Sequence, residues 1–242
     1  MTTARIDARF AALKAEGRAG FIPYVMTGDP SRDEALEILR GLPAAGADLI
    51  ELGLAFSDPM AEGPPIQRAA LRGLAAGMTL RGTLDLVADF RKGDDATPVI
   101  LMGYLNPVES YGYEAFARDA AAAGVDGLIV VDCPPEEAGP LAAALDAAEV
   151  SLIRLATPTS DDDRLKVIAR GTSGFVYYVS VAGVTGVKEA QAAALRTRST
   201  AGATAAALAA NEPAVPRVLA KVKALADAVK TARTSASVTE TV

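Results

Sequence analysis

The chain has 242 residues, half of them apolar and 22% charged, so it can bury one sizeable core, and its net charge of −6 argues against nucleic acid as the main partner. Histidine is absent altogether, which excludes Ser-His-Asp and Cys-His nucleophiles and argues against a zinc site, and no metal site is expected. The single cysteine, Cys133, excludes an internal disulfide and fits a reducing cytoplasm, and no apolar run is long enough for a membrane span or a leader peptide in the first twenty residues. In chain order, Ile6, Phe10 and Leu13 lie at helical spacing, and Gly17 stops that helix. Residues 20–26 read as a first strand ending in the turn Thr27-Gly28-Asp29-Pro30. Ser31 with Glu34 forms a capping box for a helix to about residue 42, with Leu36 and Leu39 inward. Residues 49–54 are a second strand, in which Leu49, Glu51 and Gly53 share one face and Ile50, Leu52 and Leu54 the other.

Helices are expected over 66–76 and 80–92, the second capped by Thr79. Residues 98–104 form a continuous apolar strand followed by Asn106-Pro107. A helix over 113–123 leads to a strand at 127–132, and Pro135-Glu136-Glu137 is expected to open the next helix. A strand at 150–156 follows, then a helix capped by Ser160 with Asp163, then a strand at 174–181 running into Gly183-Val184-Thr185-Gly186. Asp161-Asp162-Asp163 reads as a solvated helix N-terminus, and Tyr178 as packing outward against a helix.

Apolar strands alternating with amphipathic helices mean a parallel sheet buried on both faces. Polar and turn residues gather after each strand, at the end where barrels place their active sites. The expected fold is therefore α/β, a TIM (β/α)₈-type barrel with six strands readable; a flavodoxin-like open sheet is second, since no Gly-rich phosphate loop follows strand one. Residues 1–242 read as a single barrel domain. Within it 188–242 are an atypical Ala-rich helical tail, in which strands seven and eight are not recognisable and Val215, Val218, Leu219, Val222, Leu225 and Val229 lie at helical spacing.

Glu51 inside an apolar strand is costly unless it is paired or used. A buried ion pair, or an edge strand in place of a central one, is one reading. The second is acid–base chemistry with Glu62, which arrives on a loop stiffened by Pro59, Pro64 and Pro65.

Several segments together resemble the tryptophan synthase α subunit family over residues 1–188. They are Phe21-Ile22-Pro23-Tyr24 with Gly28-Asp29-Pro30, Glu51-Leu52-Gly53 with Phe56-Ser57-Asp58-Pro59, Gly63-Pro64 with Ile66-Gln67, Asp132 with Pro134 and Glu136-Glu137, and Gly183-Val184-Thr185-Gly186. The resemblance implies retro-aldol cleavage of indole-3-glycerol phosphate to indole and glyceraldehyde 3-phosphate, in tryptophan biosynthesis in the cytoplasm. Glu51 would be the general acid, and Glu62 would stabilise charge at the indole nitrogen. Thr185 would hold the loop carboxylate, Tyr24, Tyr104 and Tyr177 would line the pocket, and Gly186 would donate its N–H to the substrate phosphate. Core packing alone is the other reading of the tyrosines. Asp58, Asn106 and Pro134 fall where the family meets a β subunit, in an α₂β₂ heterotetramer. The chain would need no cofactor, since pyridoxal phosphate belongs to the β partner. The resemblance departs at Glu62, where the family has aspartate, and after residue 188. The alternative expectation is accordingly a catalytically impaired or silent regulatory subunit that binds the β partner.

Overall fold

The computed structural model of the protein describes residues 4–179 and 213–236. Six parallel strands lie side by side in chain order: β1 (Tyr24–Met26), β2 (Ile50–Gly53), β3 (Val99–Gly103), β4 (Gly127–Val130), β5 (Ser151–Ala156) and β6 (Val176–Tyr178). Helices fill the connections. They are α2 (Arg32–Gly41) after β1, α3 (Pro64–Ala75) and α4 (Leu80–Arg91) after β2, α5 (Leu105–Tyr111) and α6 (Tyr113–Ala123) after β3, α7 (Gly139–Ala147) after β4 and α8 (Asp162–Arg170) after β5. A parallel neighbour can be reached only by such a crossover, which places the helices over one face.

The alternation read in strand two holds. Ile50, Leu52 and Leu54 pack outward with Val99, Leu101 and Leu128 against the helices, while Leu49 joins Ile100, Ile129 and Ile153 on the inner face. Ile22, just before β1, and Phe175 and Tyr177, at β6, pack against that same inner cluster. A flat sheet would keep its first and sixth strands far apart, since neighbouring strands are about 4.8 Å apart. The sheet is therefore curled as in a barrel, and the open-sheet alternative falls away.

The lower end of the curl is plugged by α1 (Ala4–Ala15), which Gly17 ends at a φ of 65°. Ile6 of α1 is fully buried in the inner cluster, and Phe10 meets Phe175 edge-on at 5.6 Å. Two buried aspartates fasten this plug. Asp48, just before β2, accepts from Arg18 Nη1 and Nη2 at 2.8 Å each, from the Phe21 N–H at 2.7 Å, and from Arg9. Asp126, just before β4, accepts from Arg5 at 2.9 Å, Arg91 at 2.7 Å and the Val99 N–H at 2.8 Å. Each carboxylate thus joins helix side chains to the backbone of a neighbouring strand.

Several local expectations are corrected. Strand one is shorter than 20–26: Pro23 has no N–H to give, although its carbonyl accepts from Glu51 N at 3.0 Å. Helix α3 starts at Pro64, because two prolines fit a first turn whose N–H groups have no helical partner. Asn106-Pro107 lies inside the extra helix α5, with Pro107 again in the first turn. Pro135-Glu136-Glu137 does not open a helix; it forms a turn in which Glu137 N donates to Pro134 O, and α7 begins at Gly139. The cap of α8 is Asp161, which accepts from Arg164 N at 2.8 Å, while Ser160 Oγ accepts from Thr157 N. Tyr178 is 59% exposed, and among the described residues no helix covers it as expected.

Of the tail, α9 (Ala214–Ala236) is described. It packs on α2, burying Val215, Val218, Val222 and Ala226, and Leu219 stands where a side chain at Gly41 would be. The expectations for residues 180–212, including strands seven and eight, lie outside the described residues. Among the described residues no helix is long and apolar enough to cross a membrane.

Asp48 provides a test of the plug. Burial would raise its carboxyl, but Arg18, the Phe21 N–H and Arg9 reverse this and hold it below its ordinary range. Asp48→Ala should lower unfolding stability by about 3–5 kcal/mol, because two arginines and a buried N–H lose their partner. Urea unfolding of the variant checks this, with Lys14→Ala in α1, at an exposed position, as a neutral comparison.

Candidate active site

Three elements meet at the carboxyl end of the sheet. Strand β2 carries Glu51 on its inner face, with 3% exposure, and the β1–β2 register sets Tyr24 directly beside it. Gly53, one inward position further along, has no side chain for a reason. A Cβ built there would lie 2.0 Å from the Tyr24 hydroxyl oxygen, so only glycine leaves the phenol its place. The third element is the loop from β2 to α3. Met60 and Ala61 at its tip are exposed, yet Glu62 is turned in and only 8% exposed.

That inward turn is held by side chains from elsewhere. The Tyr104 hydroxyl, at the end of β3, accepts from the Ala61 N–H at 2.8 Å, and its ring lies 5.4 Å from that of Phe56. Gln67 Nε2, in α3, donates to the Glu62 carbonyl at 2.8 Å. Helix α3 is fixed in turn by a two-pronged pair in which Arg72 donates to both carboxylate oxygens of buried Asp29, at 2.7 and 2.9 Å.

The electrostatics follow from dryness. Burial, and then the charge of Glu62, pushes the Glu51 carboxyl up to about 8. Burial raises Glu62 as well. Tyr24 is driven well above its ordinary value by burial and then by Glu62, Glu51, Tyr104 and Tyr177, so these four groups lie near its phenol. Tyr104 is pushed up to about 12, by burial first, against the Ala61 N–H. Among the described residues neither glutamate forms an ion pair, so the buried-pair reading of Glu51 does not hold. At neutral pH Glu51 carries a proton that it can give.

The structure thus brings together Tyr24, Glu51, Glu62, Tyr104 and Tyr177. Thr185 and Gly186 lie outside the described residues. Asp58, Asn106 and Pro134 are all exposed, in the loop after β2, the first turn of α5 after β3 and the turn after β4, at the same end of the sheet. Beside Asp58 runs an open groove of about 370 Å³ lined by Phe56, Pro59, Met60, Gln67 and Leu71, with Met60 80% and Leu71 60% exposed. Sequence reasoning missed Met60 and Leu71; the signal was an apolar residue at a polar loop tip and a leucine off the buried face of α3. Cys133 is half-buried, and burial and Asp132 push its thiol up, away from a reactive thiolate.

A curled parallel sheet with titratable groups at the carboxyl ends of its strands defines a (β/α)-barrel enzyme, here with a protonated buried acid facing a second carboxyl group. The family model for the tryptophan synthase alpha chain matches residues 10–201. The tryptophan synthase alpha chain of Phenylobacterium zucineum is 62% identical over 273 aligned positions that cover 97% of this chain and 99% of the relative. The crystal structure of the alpha subunit from Legionella pneumophila superposes with a TM-score of 0.86 at 35% identity, over 94% of this chain and 98% of that one. A chain of the Pyrococcus furiosus α₂β₂ complex matches at 39% identity with a TM-score of 0.63, over 66% of this chain and 65% of that one. The chain belongs to the tryptophan synthase alpha chain family.

Two outcomes follow from the geometry. Gly53→Ala should displace the Tyr24 phenol and cost about 1–3 kcal/mol by overpacking, read by urea unfolding, with Gly77→Ala, where an added Cβ meets nothing but φ is 81°, as a strain-only comparison. The second concerns pH. The folded pKa of Glu51 lies above the unfolded value of about 4.3, so folding retains a proton that the unfolded chain releases. Stability should fall as pH rises from about 4.3, and level off once the folded group itself ionises near 8. Glu51→Gln should remove that slope, so melts across this window should show the variant gaining on the parent by several degrees, at about 2–4 °C per kcal/mol. Parallel curves would contradict a neutral buried Glu51.

Proposed function

We propose that this chain cleaves indole-3-glycerol phosphate to indole and glyceraldehyde 3-phosphate as the lyase subunit of a tryptophan synthase, in the cytoplasm. One observation carries the reading: Glu51 is buried inside β2 with no ion-pair partner among the described residues, and burial and the charge of Glu62 push its carboxyl up to about 8. In the proposed course Glu51 gives its proton to the ring carbon bearing the glycerol phosphate side chain. The positive charge that develops at the ring nitrogen is met by Glu62. The ionised Glu51 then takes the proton of the side-chain hydroxyl on the adjoining carbon. That carbon becomes the aldehyde as the carbon–carbon bond breaks, and its electron pair restores the indole ring. Glu51 ends as it began, protonated, and no water is consumed.

Tyr24, Tyr104 and Tyr177 would wall the ring, and Thr185 and Gly186 would serve the loop carboxylate and the phosphate. Acid and base are both supplied by carboxyl groups, so the proposal gives this chain no cofactor of its own; pyridoxal phosphate goes with the β partner. The α₂β₂ assembly of the Pyrococcus relative extends to this chain through the exposed Asp58, Asn106 and Pro134 and the apolar groove beside Asp58. A silent regulatory subunit is the less favoured reading, since it would retain a desolvated, unpaired acid inside β2 with nothing to do.

The deciding experiment is indole release from indole-3-glycerol phosphate by the chain with its β partner. Glu51→Gln should lower kcat by about 10²–10⁴-fold with an unchanged far-UV circular dichroism spectrum. In the parent, kcat/KM should fall as pH rises through about 8, where Glu51 loses its proton. A glutamine variant that keeps most of its turnover would refute the assignment.

A further inference from the structure

Tyr104 sits under the whole β2–α3 loop. Its ring braces the entry of the loop at Phe56, 5.4 Å away, and its hydroxyl reaches the exit, accepting from the Ala61 N–H at 2.8 Å. Between those two points Ser57, Asp58 and Met60 are exposed, so the loop has little buried surface of its own to hold it. The Ala61 amide lies one residue before Glu62, and on the far side the Glu62 carbonyl receives Gln67 Nε2. The backbone of Glu62 is thus pinned on both sides, from β3 by a phenol and from α3 by an amide. Tyr104 itself is 3% exposed and anchored at the end of a central strand, which makes it the stiffer of the two supports. Its phenol holds its proton far above neutral pH, so the support does not titrate in the working range.

We infer that Tyr104 is a positioning residue for the loop carboxyl group: its hydroxyl, through the Ala61 N–H, keeps Glu62 turned in toward Glu51, over and above any contact of its ring with substrate. The inference rests on the lyase reading, in which Glu62 meets charge on the substrate ring. A hydrogen bond one residue away governs placement at the level of about 1 Å, and errors of that size can cost on the order of a hundredfold in rate.

Tyr104→Phe tests it, because phenylalanine retains the ring against Phe56 and removes only the acceptor. In the full chain with its β partner, kcat should fall about tenfold or more while KM changes less than about twofold, the pattern of an interaction made in the transition state. Amide hydrogen exchange at Ala61 should quicken by about tenfold, since the amide of an exposed residue loses the Tyr104 hydroxyl as acceptor. In a Glu62→Gln background the same substitution should change kcat little, because the group it positions is already disabled. A raised KM with kcat unchanged would make Tyr104 a pocket wall only, and unchanged exchange at Ala61 would overturn the inference outright, whatever the activities. Glu62→Gln with full turnover would instead refute the role given to Glu62, while the exchange measurement would still decide whether Tyr104 holds the loop.

Discussion

The sheet curls around an acid that has no cation near it among the described residues, and much of the upper half of the structure can be understood as accommodation of that fact. A carboxyl group inside parallel strands is stable there only as the neutral acid, because water and counter-ions are both excluded. Around Glu51 stand a glycine, phenols and a second carboxyl group, Glu62. The lower end of the same sheet is built in the opposite way. Asp48 is as buried as Glu51, yet it has two arginines and a backbone N–H, and it remains ionised. Where the arginines are placed therefore decides which buried acids are struts and which keep a proton to transfer.

The loop from β2 to α3 has two sides with different duties. Its inner side presents Glu62 to the dry space, and its outer side presents Asp58, Pro59 and Met60 beside an apolar groove. Both sides hang from supports that belong to other elements, Tyr104 of the β3 end, and Gln67 and Arg72 of α3, the latter tied to Asp29 behind β1. The geometry at Glu62 is thus a property of three consecutive βα units.

What could be read from the sequence was what local spacing encodes. Alternation put Leu49, Glu51 and Gly53 on the inner face, and Ser31 and Thr79 cap their helices as their spacing to residues 34 and 82 requires. Proline was the main source of local error, since in a first helical turn it reads equally as a break; α3 and α5 both contain it there. The supports of the site were invisible for a different reason. Tyr104 and Ala61, and Arg72 and Asp29, each meet across 43 positions, as Arg91 and Asp126 of the lower end meet across 35, and no periodicity records a contact that only the curled sheet creates. The family resemblance supplied the roles of Glu51 and Glu62, but not the means by which the loop holds Glu62 in place.

The seating of α9 on α2 bears on how the chain acquires its structure. Each βα unit from β1 to β6 joins neighbours in sequence, so the curl can grow from its amino end as the chain lengthens. The α2 surface that receives Val218, Leu219 and Val222 has no such early partner. It must wait until residues 215–226 have been made, and the closure it then undergoes joins segments far apart in sequence, the kind of contact that slows folding. During synthesis the nascent chain therefore displays an apolar helix face next to its first strand. Apolar surface left open in this way is what makes incompletely folded chains prone to association.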